Sequence, residues 1–433
     1  MCTQMFLKKL SNRKIVVDVL AVLFGIGAWV GVNGIYVQLP LLVQSAPEGW
    51  NLPVFMVMVV QFANLGPILY AIYNKYLAWG RDHYIIYGIL GGGALSVYVL
   101  AFVHHKSSYI FGSEHSTYLL GLMFVSSFVG CTSSVLFMPY MRNYREIYLV
   151  SYLVGEGLSG FLPSIVALVQ GVGGNAECRN VTSPDGSSKL EEYYPEPNFS
   201  SKTYFIILGS ILFSSLLAFV SLNKFAVAKG ERVKAAANFE TVAMDMNAPA
   251  SYMSDTNWSM SKQTYFYLLG MMAVVCMLGN AVLPGIQSYS CLPYNNIAYH
   301  LTINLASMAL PLALCSGFFI QVPKIQVLSI LMGVFLIFGS MIFYVALSSP
   351  TPPLQHSWLG KAFVVILWVC TSALIGFIKM CITTIFRRDP GKGLYYTGIA
   401  TQLGSLVGAI ISFVVVNETG WFRRYSPCLD VSH

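Results

Sequence analysis

Along most of the chain the apolar positions do not alternate with polar ones; they run on continuously. Stretches long enough to cross a hydrocarbon core of ~30 Å fall near residues 15–38, 53–74, 84–104, 117–141, 146–171 and 202–223. Five more fall near 264–288, 297–320, 324–348, 360–384 and 393–416. Unbroken runs of this length predict helices, because backbone amides in lipid have to be satisfied within their own segment. The expectation is an all-α integral membrane protein of about eleven transmembrane helices. The first run, Ile15 to Val37, is too long for a cleaved signal and no small-residue cleavage site follows it, so it reads as a retained signal-anchor helix.

Residues 224–263 interrupt the pattern with Lys, Glu, Asp, Asn and Ser and no long apolar run. They read as a cytosolic flexible linker. The linker divides the chain into an N-terminal half, 1–223, with six spans, and a C-terminal half, 264–416, with five; residues 417–433 form a tail. Each half opens with related text, Asn33-Gly34 followed by Leu39-Pro40 and Asn280-Ala281 followed by Leu283-Pro284. Internal repeats of this kind are a habit of transporters.

Composition agrees with lipid as the solvent: 56% of residues are hydrophobic and 10% charged, and mean hydropathy is +0.64. The net charge of +7 is not a nucleic-acid surface. Lysines and arginines concentrate in alternate connecting segments, among them Lys8, Lys9, Arg13, Lys14, Arg142, Arg145, Lys229, Arg232, Arg387 and Arg388. By the positive-inside rule this predicts a cytosolic N-terminus and an extracellular C-terminus. The sequons at Asn180 and Asn198, and a further one at Asn417, then face outward as glycosylation sites, whereas Asn257 faces the cytosol. Cys178, Cys291 and Cys428 share the outer, oxidising side, so one disulfide is expected among them, with the pairing open. Cys131, Cys276, Cys315, Cys370 and Cys381 read as small buried hydrophobes, and no Cys/His spacing suggests a metal site.

Polar groups at membrane depth are costly and therefore informative. The charged ones are Asp18 and Lys379, both placed near the cytosolic face, and Glu156, deep within Gly155-Glu156-Gly157-Leu158-Ser159-Gly160. Uncharged ones gather before prolines: Trp29, Asn33 and Gln38 before Pro40, Gln61 and Asn64 before Pro67, and Asn280 before Pro284; Gln287, Asn304 and Gln402 complete the set. Amides beside broken helices line cavities, and a cavity rich in amides but poor in charge suits a neutral polar ligand. A flavin fits, its pyrimidine edge matching Asn and Gln and its rings matching Trp and Tyr; a nucleoside or nucleobase fits by the same chemistry. His300 and Glu156 are the candidates for pH sensing. No catalytic constellation is evident, so the classes in play are a carrier and a non-transporting membrane receptor.

The string Trp29-Val30-Gly31-Val32-Asn33-Gly34-Ile35-Tyr36-Val37-Gln38-Leu39-Pro40, continuing to Trp50-Asn51-Leu52-Pro53, resembles the opening of the eukaryotic riboflavin transporter family. So do Cys131-Thr132-Ser133-Ser134, Phe137-Met138-Pro139, the Gly155–Gly160 segment with Gln170-Gly171, and Gln402-Leu403-Gly404-Ser405-Leu406. The longest match is Gly279-Asn280-Ala281-Val282-Leu283-Pro284, then Gln287 to Tyr294 and Ala298-Tyr299-His300-Leu301. The resemblance covers nearly the whole membrane part and weakens in spans 3 and 9 and in the large loops. It implies a major-facilitator-like or equilibrative-nucleoside-transporter-like bundle of six plus five helices. It further implies plasma-membrane uptake of riboflavin by alternating access, without sodium, resident cofactor or obligate protein partner. The family usually carries a glutamate where this chain has Gln38, and a glutamine there cannot titrate.

Overall fold

The computed structural model describes residues 14–77, 82–110, 112–182, 188–233, 260–315, 324–386, 393–426 and 428. Nearly all of this is helix. The first span is three pieces, α1 (Ile15–Ile26), α2 (Val30–Val37) and α3 (Leu39–Ser45), and the second is α4 (Leu52–Ala63) and α5 (Leu65–Leu77). Next come α6 (Asp82–Val103), the two-stranded β1 (Ser108–Ile110) and β2 (Ser113–His115), α7 (Thr117–Met141) and α8 (Glu146–Gln170). A second antiparallel hairpin, β3 (Glu177–Thr182) with β4 (Ser188–Tyr193), precedes α9 (Ser201–Lys224) and the short α10 (Ala226–Gly230). The later elements are α11 (Lys262–Met277), α12 (Leu283–Gly285), α13 (Gln287–Cys291), α14 (Asn296–Cys315), α15 (Ile325–Leu347), α16 (Trp358–Phe386) and α17 (Gly393–Glu418).

Among the described residues nine helices are long and apolar enough to cross a membrane, and ten if α1 and α2, bent by 53° to one another, count as one. The eleventh expected span corresponds to the helix α14, which is not among that number; it carries buried Asn296, His300, Thr302 and Asn304, and residues 316–320 of the expected span lie outside the described residues. Residues 234–259, most of the expected linker, lie outside the described residues, as does Asn257. The first part of that linker is folded rather than flexible. Arg232 donates to Tyr144 Oη and Tyr140 Oη, each at 3.1 Å, and Arg145 pairs with Glu231 at 3.0 Å, so residues after α9 fold back on the N-terminal half.

The breaks in the first span have local causes. At Gly27 a Cβ would stand 2.1 Å from Ser215 Oγ, so glycine is what lets α9 press against the bend. Ser215 Oγ in turn donates to the Phe24 carbonyl at 3.1 Å, beside the 3.2 Å bond that carbonyl accepts from Gly27 N–H, so α9 is tied to the bend as well as packed on it. At the next break Gln38 N–H turns to Ile35 O rather than Gly34 O, and Tyr204 Oη donates to Gly34 O at 3.1 Å instead. Helices α1 and α8 meet backbone to backbone: a Cβ on Gly25 would lie 2.1 Å from Tyr152 O, and one on Gly155 would lie 2.0 Å from Val22 O. The small residues around Glu156 thus permit close approach of the two helices.

The two halves meet along two seams, α8 against α14 and α4 against α17. Hydrogen bonds between described residues of the two halves all lie at the end that carries the β3–β4 hairpin. There Asn51 Nδ2 donates to Asn417 Oδ1 at 2.9 Å, Ser288 Oγ to Trp50 O at 2.6 Å, Asn296 Nδ2 to Gly174 O at 3.1 Å and Arg424 to Glu48 O at 2.9 Å. Cys178 and Cys428 form a disulfide across the same end, with Cα atoms 5.5 Å apart. Cys291, the third candidate, is a buried free thiol at the end of α13.

Candidate functional site

The polar groups in the helical interior fall into four sets. In the first, Asn33 on α2 donates to Ser159 Oγ on α8 at 3.4 Å. A Cβ on the neighbouring Gly160 would be 3.3 Å from Ser307 O on α14 and 3.5 Å from Asn33 Nδ2, so three helices from both halves converge here. Trp29, half-buried at the break before α2, lays its ring against Gly130 of α7, where a Cβ would come within 2.8 Å. Glu156 lies one turn from Gly160 on α8, half-buried, and its carboxylate has no hydrogen-bond partner among the described residues.

The second set belongs to the C-terminal half. Asn280 sits in a widened turn, Leu278–Val282, where the N–H of Leu283 reaches back to Leu278 O. Pro284 explains the turn, since its ring lacks an N–H and would crowd the carbonyl four residues earlier, which is that of Asn280. Widened turns of this kind recur at functional sites. Asn280 Nδ2 donates to Ser405 Oγ on α17 at 2.9 Å, and Lys379 Nζ on α16 donates to Asn280 Oδ1 at 3.4 Å. Lys379 therefore turns toward the interior amide rather than toward the membrane face where its position in the sequence placed it. Asp18 remains near its end of α1 and accepts from Ser151 Oγ. Ser159, Ser405 and the inward turn of Lys379 carry no sequence signal beyond lying in an apolar run.

Each half thus uses the same device, an asparagine in a broken opening span bonded to a serine on a glycine-bearing partner helix. In the N-terminal half that helix is α8 with Gly155. In the C-terminal half it is α17, where Cβ atoms on Gly404 and Gly408 would lie 2.2 Å from Ala273 O and 2.3 Å from Met277 O. The repeat read in the sequence has this geometric counterpart.

The third set is a row on α14. Tyr299 Oη, His300 Nε2, Thr302 Oγ1 and Asn304 Oδ1 are buried and lack hydrogen-bond partners among the described residues. Asn304 Nδ2 is spent on His300 O at 2.8 Å and faces His300 Nδ1 at 3.2 Å. Unsatisfied buried polar atoms are few in native proteins and call for an explanation. With Asn296 Oδ1 at its first residue, this one helix lining the seam between halves holds five of those among the described residues.

In the last set the predicted residues are tied elsewhere. Gln38 Nε2 donates to Gln170 Oε1 at 2.6 Å, and Gln170 Nε2 to Phe199 O at 3.0 Å, which makes Gln38 a strut between spans that keeps only its Oε1 unpaired. Asn64 Nδ2 bonds Gln61 Oε1 at 3.3 Å, so these two satisfy each other at the break between α4 and α5. Gln287 is buried on α13, and Gln402 is exposed on α17; neither side chain bonds another described residue. Asn180 and Asn198 are exposed on or beside the hairpin, with Asn198 Nδ2 donating to Val169 O at 2.9 Å. Asn417 is the last turn of α17 rather than tail, held by Asn51 and Phe413 O.

A model of the family described as solute carrier family 52, riboflavin transporter, matches residues 13–424. Riboflavin transporter 2 of Salmo salar is 35% identical over 95% of this chain and 97% of its own. Member 3 of the solute carrier family 52 riboflavin transporters in Homo sapiens is 31% identical over 94% and 97%. Among solved structures, the nucleoside transporter NupG superposes with a TM-score of 0.53 over 95% of this chain and 93% of its own, at 13% identity. A bacterial homologue of the human lysosomal transporter Spinster does so with 0.55 over 92% and 80%, at 12% identity. Those two show the fold alone, a major-facilitator-like helical bundle. The family match over almost the full length, with relatives above 30% identity, is more specific: this chain belongs to the solute carrier family 52 riboflavin transporters.

Proposed function

We propose that this chain carries riboflavin into cells across the plasma membrane by alternating access. It works as a single chain in the bilayer, with riboflavin as cargo and no resident cofactor or sodium. The observation that carries the reading is the pairing of two amide devices, Asn33–Ser159 and Asn280–Ser405, with the unsatisfied row on α14. These groups offer donors and acceptors to a neutral ligand, and Lys379 adds one cationic donor suited to a carbonyl edge. Binding then occurs between the halves, with Trp29, Asn33, Asn280 and Asn304 as contacts and Glu156 and His300 as the groups that confer pH sensitivity.

The hairpin end is extracellular in this reading, which is supported by the basic residues Arg145, Lys229 and Arg232 at the other end and by the sequons and disulfide at this one. Because the inter-half bonds gather at the hairpin end, the conformation is the one closed to the outside. Competition for uptake between labelled riboflavin and uridine tests the substrate: riboflavin blocks and uridine does not. Block by uridine at equal concentration favours a nucleoside carrier, and ligand binding without net flux in proteoliposomes favours a receptor.

A further inference from the structure

At the hairpin end, apart from the interior amides, the halves enclose a cavity of about 240 Å³. Trp50 and Tyr194 wall it from the N-terminal half, Tyr294, Asn296 and Gln355 from the C-terminal half, and Lys361 stands with these residues. The walls are held from behind. Trp50 O accepts from Ser288 Oγ at 2.6 Å, Tyr194 Oη donates to Glu192 at 3.1 Å, Tyr294 Oη to Pro353 O at 2.9 Å, and Gln355 Nε2 to Pro293 O at 3.0 Å. These bonds fix the rings and amides before any ligand arrives, which lowers the cost of binding.

Asn296 carries the argument. It is 4% exposed, its Nδ2 is committed to Gly174 O at 3.1 Å, and its Oδ1 is buried without a partner among the described residues. A buried amide oxygen left in this way is an acceptor waiting for a donor. Lys361 has no ion pair among the described residues, and no carboxylate lines the cavity. Aromatic walls, an orphan acceptor and a free cationic donor are the complement of a planar ring bearing an N–H beside a carbonyl.

We propose that this cavity is an external docking site for the flavin ring, separate from the interior site, with the imide N–H on Asn296 Oδ1 and the adjacent carbonyl on Lys361. The volume is below that of ordinary ligand pockets, about 300–1,000 Å³, so the ring enters and the ribityl chain stays in the medium. The site therefore holds its ligand more weakly than the interior one and serves to load it. The proposal rests on the riboflavin reading above.

Equilibrium titration of riboflavin into the purified full-length chain in nanodiscs tests it, with uptake kinetics alongside. The expected result is two sites, the weaker lost in Asn296→Leu and in Lys361→Ala. In both variants the half-saturation concentration for uptake rises about five-fold, the equivalent of one hydrogen bond of about 1 kcal/mol; the maximal rate per surface copy holds in Lys361→Ala, whereas Asn296→Leu, which also removes the inter-half bond to Gly174 O, is read by binding and half-saturation alone. Asn280→Ala keeps the weaker site. Lys361 makes no side-chain bond to another described residue, so its variant guards against a folding defect in Asn296→Leu. Transport with one-site binding in the unaltered chain, or a fall in maximal rate with unchanged half-saturation, overturns the docking site alone. Absence of both binding and uptake overturns the carrier reading, and the docking site with it.

Discussion

Asn280 is held on two sides, by Ser405 and by Lys379, and both bonds end on one side chain. Replacing it by alanine leaves the Lys379 ammonium without its acceptor. Hydrogen bonds to charged groups are worth about 1.5–3 kcal/mol, so Asn280→Ala is expected to raise the half-saturation of uptake roughly tenfold or more at matched surface levels. Asn33→Ala, which loses a longer and uncharged bond, has the smaller effect. Glu156→Gln flattens the dependence of uptake on pH in this account. A profile that persists unchanged in that variant removes Glu156 and leaves His300. Gly155 is the steric counterpart: with Val22 O 2.0 Å from where a Cβ would sit, Gly155→Val fails to reach the surface, while Gly121→Ala, with nothing within 4 Å, does. Surface biotinylation reads both. At this scale the sequence was informative where position alone decides: the amides of Asn33 and Asn280 and the depth of Glu156 were legible from runs and prolines. Lys379 was misplaced because linear depth does not say which way a long side chain turns. The bond from Gln38 to Gln170 was not legible, because the two are remote in sequence.

Each opening span breaks where proline or glycine removes the option of a regular turn. Yet the consequence differs: in the first span the chain bends by 53°, and in the seventh it absorbs Pro284 in a widened turn. The proline was visible in the sequence; the kind of break was not, because it depends on what the neighbouring helix offers. At the first break Ser215 adds a second donor to Phe24 O, which also accepts from Gly27 N–H, so Ser215→Ala is expected to cost about 0.5–1.5 kcal/mol, the worth of one hydrogen bond, read as a lower thermal midpoint of the purified chain. Pro284→Ala is expected to act in the opposite sense. It restores a regular turn, raises the midpoint and slows transport, the exchange common where a strained element serves function. A variant that is both more stable and as fast removes the turn from the mechanism. The same dependence on neighbours explains α14, whose buried polar row is tolerable only inside a bundle and which hydropathy alone had counted as an ordinary span.

The molecule as a whole is two halves joined along α8–α14 and α4–α17 and pinned at one end. The helical bundle was legible from the apolar runs; the seams were not, since nothing in a single sequence pairs Asn51 with Asn417 or Cys178 with Cys428. Alternating access requires the hairpin-end bonds to open. A disulfide engineered at Asn51→Cys and Asn417→Cys, in a chain also carrying Cys178→Ser and Cys428→Ser, is expected to abolish uptake when oxidised and to restore it on reduction. Undiminished uptake by the cross-linked form contradicts the rocking motion.

The most direct test of the account is uptake of labelled riboflavin by cells expressing this chain, in sodium-free medium, beside Asn33→Ala and Asn280→Ala at matched surface levels. Saturable uptake that both substitutions weaken is the result expected of a riboflavin carrier whose site lies between the paired amides. Surface expression that adds no riboflavin uptake contradicts the substrate, and uptake indifferent to both substitutions contradicts the site.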